Sequence, residues 1–333
     1  MEIYVAGHEE VERLLPMAEC IDVMEEALKT LARGEAVLPL RQAVRQPDGK
    51  GLLGLMPAYL GQPRVLGAKV VTVFGGNFGT PYESHQGSVL LYECEHGRPL
   101  AIVDAGAITT IRTGAVTAVA TRALARAEAS NLALLGSGTQ AIGHLEAMCA
   151  VRPITSVRVW SRSIEHAQKF AEREAARRNL DIRAVSSAEA AVRDADIICT
   201  LTPATAPILR AEWLAPGAHV NAIGSSVPGY RETETAVVAR SRVFVDRRES
   251  ALNEADDIRI PLREGVIGEE HIRGEIGEVL LGRVPGRANE TEVTLFKALG
   301  LAIEDLAAAY HVYAKGKAQG VGTSLEFTGQ RHG

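Results

Sequence analysis

Aromatic side chains make up only 5% of this 333-residue chain. No apolar stretch approaches the roughly 18 residues of a membrane-spanning helix, so no span is expected. A basic excess is missing too: 36 Lys and Arg stand against 41 Asp and Glu, a formal net charge of −5. No global positive field exists to hold nucleic-acid phosphates or anionic lipid, so neither partner is expected. Cysteine is sparse, and Cys20, Cys94, Cys149 and Cys199 show no CxxC spacing. That excludes a zinc ribbon and a thioredoxin-type pair. Scattered cysteines in a chain this long suit a reducing, cytoplasmic setting. Met1-Glu2-Ile3-Tyr4-Val5 carries no basic segment leading into an apolar one, so no signal peptide is expected. HExxH, GxSxG, Walker-type and paired-carboxylate patterns are absent, which counts against metal-dependent, serine-hydrolase and phosphoryl-transfer chemistry; no metal is expected.

What remains is an ordinary globular composition, 46% apolar and 23% charged, of a length that fits about two domains. The first 35 residues read as helical, from the spacing of Val23, Met24, Ala27, Leu28 and Leu31 to a stop at Gly34. Short apolar runs follow, separated by turn clusters: 37–44, 52–56, 65–74 and 88–93. A helical period returns over 107–126. Strands and helices then alternate from Leu132 to Val245, which implies a parallel sheet covered on both faces. A last helix over about 299–315 could pack back on the first domain.

Glycine is in excess, 32 residues, so about three G-x-G triplets arise by chance, and three are present. Context separates them. Gly49-Lys50-Gly51-Leu52-Leu53-Gly54 matches GxGxxG but follows a Pro-Asp turn and runs into Pro57, so it reads as a hairpin turn. Gly136-Ser137-Gly138-Thr139-Gln140-Ala141 instead follows the apolar run Leu132–Leu135 and opens a helix-compatible stretch, the dinucleotide-binding context. Gly136 permits the tight turn, Gly138 lets backbone approach a pyrophosphate, and the helix N-terminus offers N–H donors. After the next strand stands Ser161-Arg162-Ser163, with no acid to hold a ribose 2′-OH. A cation between two hydroxyls suits a 2′-phosphate, so NADPH is expected, with NADH possible.

Two cations sit in apolar surroundings. Arg112 lies in the row Ile108, Arg112, Val116, Ala120, with no acid four residues away. Its partner is therefore either a distant carboxylate of the fold or a ligand carboxylate. Lys69 lies inside the run Val65–Phe74, where burial would lower its pKa into a range useful for proton transfer. Arg41 and Arg45 share a face of the run 37–44, and spacing does not choose between them. His85, in Glu83-Ser84-His85-Gln86-Gly87, titrates near neutrality if it is placed at a site. The loop 76–87 and Tyr59 are candidates for shaping a pocket.

Together these stretches resemble the ornithine cyclodeaminase/mu-crystallin family. The resemblance rests on Pro39-Leu40-Arg41, Met56-Pro57-Ala58-Tyr59, Ala68-Lys69-Val70-Val71, Ser84-His85-Gln86-Gly87, Ile108-Thr109-Thr110-Ile111-Arg112-Thr113-Gly114-Ala115 and Gly136–Ala141. Asn221–Ser226 and Val243–Asp246 extend it over nearly the whole chain. It implies an α/β protein in which a Rossmann domain, 126–301, is inserted in an α+β substrate-binding and dimerisation domain, 1–125 plus 302–333. It implies a homodimer, with Arg41 and Arg112 on a substrate carboxylate and Lys69 at the reacting carbon. Met56, His85 and Ser226 would line the substrate site. Arg112, Thr113, Gly136, Ser137, Gly138, Thr139, Gln140, Ser161, Arg162, Ser163, Thr202 and Ser226 would face the cofactor. Cyclodeaminases of the family carry an aspartate where this chain has Ser226, and a hydroxyl takes up no proton at neutral pH. The expectation is therefore an NADPH-dependent oxidoreductase that reduces a small α-imino acid, cyclic or acyclic, to an L-amino acid. The alternatives are an NAD-dependent ornithine cyclodeaminase or alanine-type dehydrogenase, and a mu-crystallin-like protein that binds cofactor or ligand without turnover.

Overall fold

The computed structural model describes residues 2–77 and 79–327. The chain divides into unit 1, Met1–Arg112 with Leu301–Gly333, and unit 2, Thr113–Gly300. In chain order the first elements are β1 (Glu2–Ala6), α1 (His8–Leu14), α2 (Met17–Ala32), β2 (Ala36–Val37), β3 (Gln42–Arg45), β4 (Leu52–Gly61), β5 (Arg64–Val73), β6 (His85–Tyr92), β7 (Pro99–Asp104) and α3 (Ala105–Leu124). Unit 2 continues with β8 (Asn131–Leu135), α4 (Thr139–Val151), β9 (Ser156–Trp160), α5 (Ile164–Arg178), β10 (Asp181–Ala184), α6 (Ala188–Val192), β11 (Ile197–Thr200) and β12 (His219–Ala222). Then come α7 (Thr235–Arg240), β13 (Arg242–Val245), α8 (Arg248–Glu254), α9 (Asp256–Arg263), β14 (Ile272–Glu275), α10 (Ile276–Leu280) and β15 (Thr294–Lys297). The chain returns to unit 1 with α11 (Ala302–Gln319) and β16 (Thr323–Glu326). The first boundary between units thus falls inside α3, earlier than the end of the helical period implied.

The sheet of unit 1 has the order β16-β1-β7-β6-β5-β4-β2, with β3 paired to β4. Met56 stands opposite Lys69, and Lys69 opposite Val89. Directly opposed residues share a face, so these three form one row. Helix α11 packs along β4, β5 and β6. Gly67 allows its close approach: a Cβ there would lie 2.3 Å from the Leu90 carbonyl oxygen and 3.2 Å from Leu306. The other face carries Leu66, Tyr59 and Val37 in one row, and Val44 and Leu53 in another. Tyr59 therefore lies on the opposite face from Lys69 and does not shape its surroundings.

Two local expectations differ from the structure. Residues 2–6 form β1, not helix, because Tyr4, Val5 and Ala6 pair parallel to β7, a partner nearly a hundred residues away, and Ile3, Tyr4 and Ala6 are buried there. The run 37–44 is not one strand. It breaks at 38–41, leaving β2 and β3 as separate pieces on β4. Gly49, at φ +72°, does lie in the turn joining β3 to β4. Phe78, in the loop 76–87, lies outside the described residues.

The sheet of unit 2 is parallel throughout, ordered β10-β9-β8-β11-β12-β15-β13-β14. Strands β8 to β12 follow the doubly wound order 3-2-1-4-5. Strand β15, late in the chain, inserts between β12 and β13. The interior is apolar: Leu134, Ile198, Val220, Leu295 and Val243 are fully buried.

Candidate active site

In unit 1, three elements converge on Lys69 of β5. Its ammonium Nζ donates to Thr109 Oγ1 of α3 at 2.6 Å and to Asp305 Oδ1 of α11 at 3.3 Å. Burial lowers the Lys69 pKa to about 8; Asp305 pulls it up, while Arg112 and Arg41 push it down. Desolvation wins because the side chain is only 6% exposed and two further cations act on it. Lys69 is thus protonated at neutral pH yet able to give up its proton.

Arg112 has its partner within the fold. Its Nε donates to Asp305 Oδ1 at 3.0 Å and its Nη1 to Glu304 Oε2 at 2.8 Å, with both carboxylates fully buried. A buried guanidinium needs such compensation. No local rule could find it, since the partners lie almost two hundred residues downstream. Arg41 is half-buried in the break between β2 and β3, and its charge reaches Lys69, whereas Arg45 is exposed on β3. That separates the two arginines: Arg41 belongs to the cluster. Summed as formal charges with Lys69 protonated, these three cations and two carboxylates carry one net positive charge.

Met56 lies beside Lys69 in the same row. His85 opens β6, with Nδ1 3.0 Å from Ser84 Oγ. Partial desolvation, then the charge of Lys69, holds its imidazole below the ordinary range, against the pull of Glu83. His85 is neutral at physiological pH, a donor or acceptor and not a fourth cation.

In unit 2, β8 ends at Leu135 and the glycine turn follows. Gly136 has φ +127°, and a Cβ on it would lie 2.8 Å from the Leu201 carbonyl oxygen. Gly138 caps α4, and a Cβ there would meet nothing within 4 Å. The first glycine is needed by the turn, the second leaves open space at a helix N-terminus. Gln140 Oε1 is buried without a hydrogen-bond partner among the described residues. Ala141 is fully buried, where helix and strand meet. This donor-rich, open turn fits a dinucleotide pyrophosphate. Ser137 and Thr139 border the same turn.

At the end of β9, Arg162 is exposed and, among the described residues, unpaired. Ser163 caps α5: its Oγ accepts from the His166 N–H at 3.2 Å and donates to Glu165 Oε2 at 2.6 Å. Its hydroxyl is already engaged, which leaves Arg162 and Ser161 as the polar pair at that strand end. Thr113, Thr202 and Ser226 are all half-buried in unit 2, Thr202 just beyond β11 and Ser226 in the loop after β12. Sequence reasoning missed Asp305 and Glu304, and also the fully buried Glu232, Asp257 and Lys297. The signal available was charge inside apolar runs, as at Lys297 in Thr294-Leu295-Phe296-Lys297.

The model of the ornithine cyclodeaminase/mu-crystallin family matches residues 1–320. The chain belongs to that family. Within it, the mouse (Mus musculus) protein "Ketimine reductase mu-crystallin" is 38% identical over 313 residues, covering 93% of this chain and 96% of that one. The Thermococcus litoralis Delta(1)-pyrroline-2-carboxylate reductase, solved in complex with NADH and L-proline, is 37% identical, with TM-score 0.93 over 96% of this chain and 99% of that one. An archaeal alanine dehydrogenase dimer with bound NAD is 35% identical, also at TM-score 0.93, over 98% and 100% of the two chains. Among the described residues no helix is long and apolar enough to cross a membrane.

Proposed function

We propose that this chain is a nicotinamide-dependent imine reductase that converts a small α-imino acid to an L-amino acid. The observation that carries it is the Lys69 cluster: a desolvated ammonium with its pKa lowered to about 8, set among Arg41, Arg112 and Asp305. Arg41 and Arg112 bind the substrate carboxylate, Arg112 in the orientation that its bonds to Asp305 and Glu304 give it, a role for which a planar guanidinium with five N–H donors is suited. They fix the imine carbon for attack, which is where most of the rate gain from orientation arises. A reduced nicotinamide cofactor, which the glycine turn Gly136–Gly138 would help to hold, would supply the hydride when bound. Lys69 Nζ delivers a proton to the imine nitrogen, so that C=N becomes CH–NH and the lysine is left neutral until solvent reprotonates it. Thr109 and Asp305 hold that ammonium in place meanwhile. Met56 and neutral His85 border the carbon skeleton.

NADPH is the cofactor we assign, on Arg162 and Ser161 at the end of β9 and the lack of an acid there. The relatives solved with NADH and NAD make this the sharper part of the proposal. Ser226, in place of a carboxylate, removes the base a cyclodeaminase needs for a distal amine. The protein acts as a homodimer, and the apolar outer face of β2–β5 supports that: Val37 is 66%, Val44 72%, Leu53 42% and Leu66 43% exposed. It works in the cytoplasm.

Purified protein should oxidise NADPH in the presence of pyrroline- or piperideine-2-carboxylate or an acyclic imino acid. Absence of turnover with either nicotinamide cofactor across that panel refutes the assignment. Cofactor retention in the same assay would then favour the pure binding protein.

A further inference from the structure

Unit 2 buries three titratable side chains, Glu232, Asp257 and Lys297, near the carboxyl ends of its strands, and none of them belongs to the glycine turn. Glu232 is fully buried and gathers four donors. Its Oε1 accepts from the Thr202 N–H at 2.7 Å and from Thr202 Oγ1 at 2.8 Å. Its Oε2 accepts from the Gly224 N–H at 2.8 Å and from Thr200 Oγ1 at 2.7 Å. One carboxylate thus ties the segment leaving β11 to the segment leaving β12. The fit is tight, because a Cβ on Gly224 would lie 2.3 Å from the Thr202 nitrogen.

Behind it, Asp257 Oδ1 accepts from the backbone N–H groups of Glu232 at 3.0 Å and Thr233 at 2.8 Å, and from Thr233 Oγ1 at 2.8 Å. Lys297, the last residue of β15, pairs with Asp257 at 3.1 Å and donates to the Ser225 carbonyl. Burying such a network is a poor route to stability, since desolvation offsets much of the attraction. What it provides is geometry. In a doubly wound sheet, β8–β10 form one mononucleotide-binding half and β11–β12 the other. The glycine turn and Arg162 belong to the first half, so the segments Glu232 ties together belong to the second.

We infer that Glu232 is a positioning residue for the nicotinamide half of the cofactor site, acting through Thr202 and the Gly224–Ser226 segment. This rests on the proposal that a nicotinamide dinucleotide binds unit 2. Glu232→Gln is the decisive substitution. An amide keeps one oxygen, and the two backbone donors lie one on each carboxylate oxygen. Whichever way it turns, its NH2 faces either the Thr202 or the Gly224 N–H. Gly224 retains a second acceptor in the Thr200 carbonyl at 3.0 Å, so the sheet survives while the tie is lost.

Calorimetric titration of Glu232→Gln should show NADPH binding weakened about tenfold or more, the scale of losing a hydrogen bond to a charged group. Adenosine 2′,5′-bisphosphate, which carries only the other half, should bind within about twofold of wild type, a span well inside the tenfold unit of 1.4 kcal/mol. Thr200→Val removes one donor with little change in shape and should weaken NADPH alone, while Thr200→Ser restores it. That pair keeps the test open should the glutamine variant fail to fold. Equal weakening of both ligands, or of neither, overturns the inference. Wild-type protein that binds no dinucleotide at all overturns the cofactor assignment, and this inference with it.

Discussion

Lys69 places two opposite pH dependences on one atom. As the proton donor proposed above it must be charged, so turnover should fall as pH rises through about 8. Stability should move the other way. An unfolded lysine titrates near ~10.4, so between about 8 and ~10.4 the unfolded chain binds more protons, and folding becomes more favourable as pH rises. Melting curves at both ends of that window should show the wild type gaining on Lys69→Met. The same substitution should leave NADPH binding intact and reduce turnover by about 10²–10⁴-fold, the range of a lost general acid. Unchanged turnover would remove Lys69 from the chemistry. Asp305→Asn strips the ammonium of its counter-ion and should carry the alkaline limb of the rate profile below that of wild type; an unmoved limb would mean Asp305 does not act on Lys69. Lys69 and Arg112 were legible in the sequence because charge inside an apolar row is expensive and stands out. Their partners were not, because Glu304 and Asp305 read as the ordinary acidic first turn of a helix.

At the level of elements the glycine turn was legible and its register in the fold was not. Leu132–Leu135, the GxGxxA and a helix-forming stretch are local signals, and β8, the turn and α4 follow them. Strands β1 and β15 were not seen, because a short segment paired with a distant strand carries no local period. The broken run at 38–41 shows the same limit: spacing did not separate Arg41 from Arg45, whereas the family resemblance and the structure do. The two glycines of the turn should part company under substitution. Gly136→Ala meets both a positive φ and the Leu201 carbonyl, and should cost about 1–3 kcal/mol in denaturant unfolding. Gly138→Ala meets open space at φ −82°, and should fold like wild type while binding cofactor more weakly. Equal stability losses for the two would contradict that division.

For the whole molecule, the composition set the broad class and the fold followed it: two units, one with an all-parallel sheet. The apolar outer face of unit 1 makes assembly testable. Leu66→Lys with Val37→Lys should convert a dimer in sedimentation velocity to a monomer, and an unaltered dimer would place the interface elsewhere. The route of the chain also matters. Arg112 and Glu304 are separated by 192 positions, and all of unit 2 is written between them. At about 5–20 residues per second of synthesis, Lys69 and Arg112 leave the ribosome roughly 10–50 s before their counter-ions. The glycine turn is therefore synthesised before Lys69 and Arg112 can meet their carboxylates. A nascent chain that stalls before α11 would carry every residue of unit 2 and leave Lys69 without Asp305.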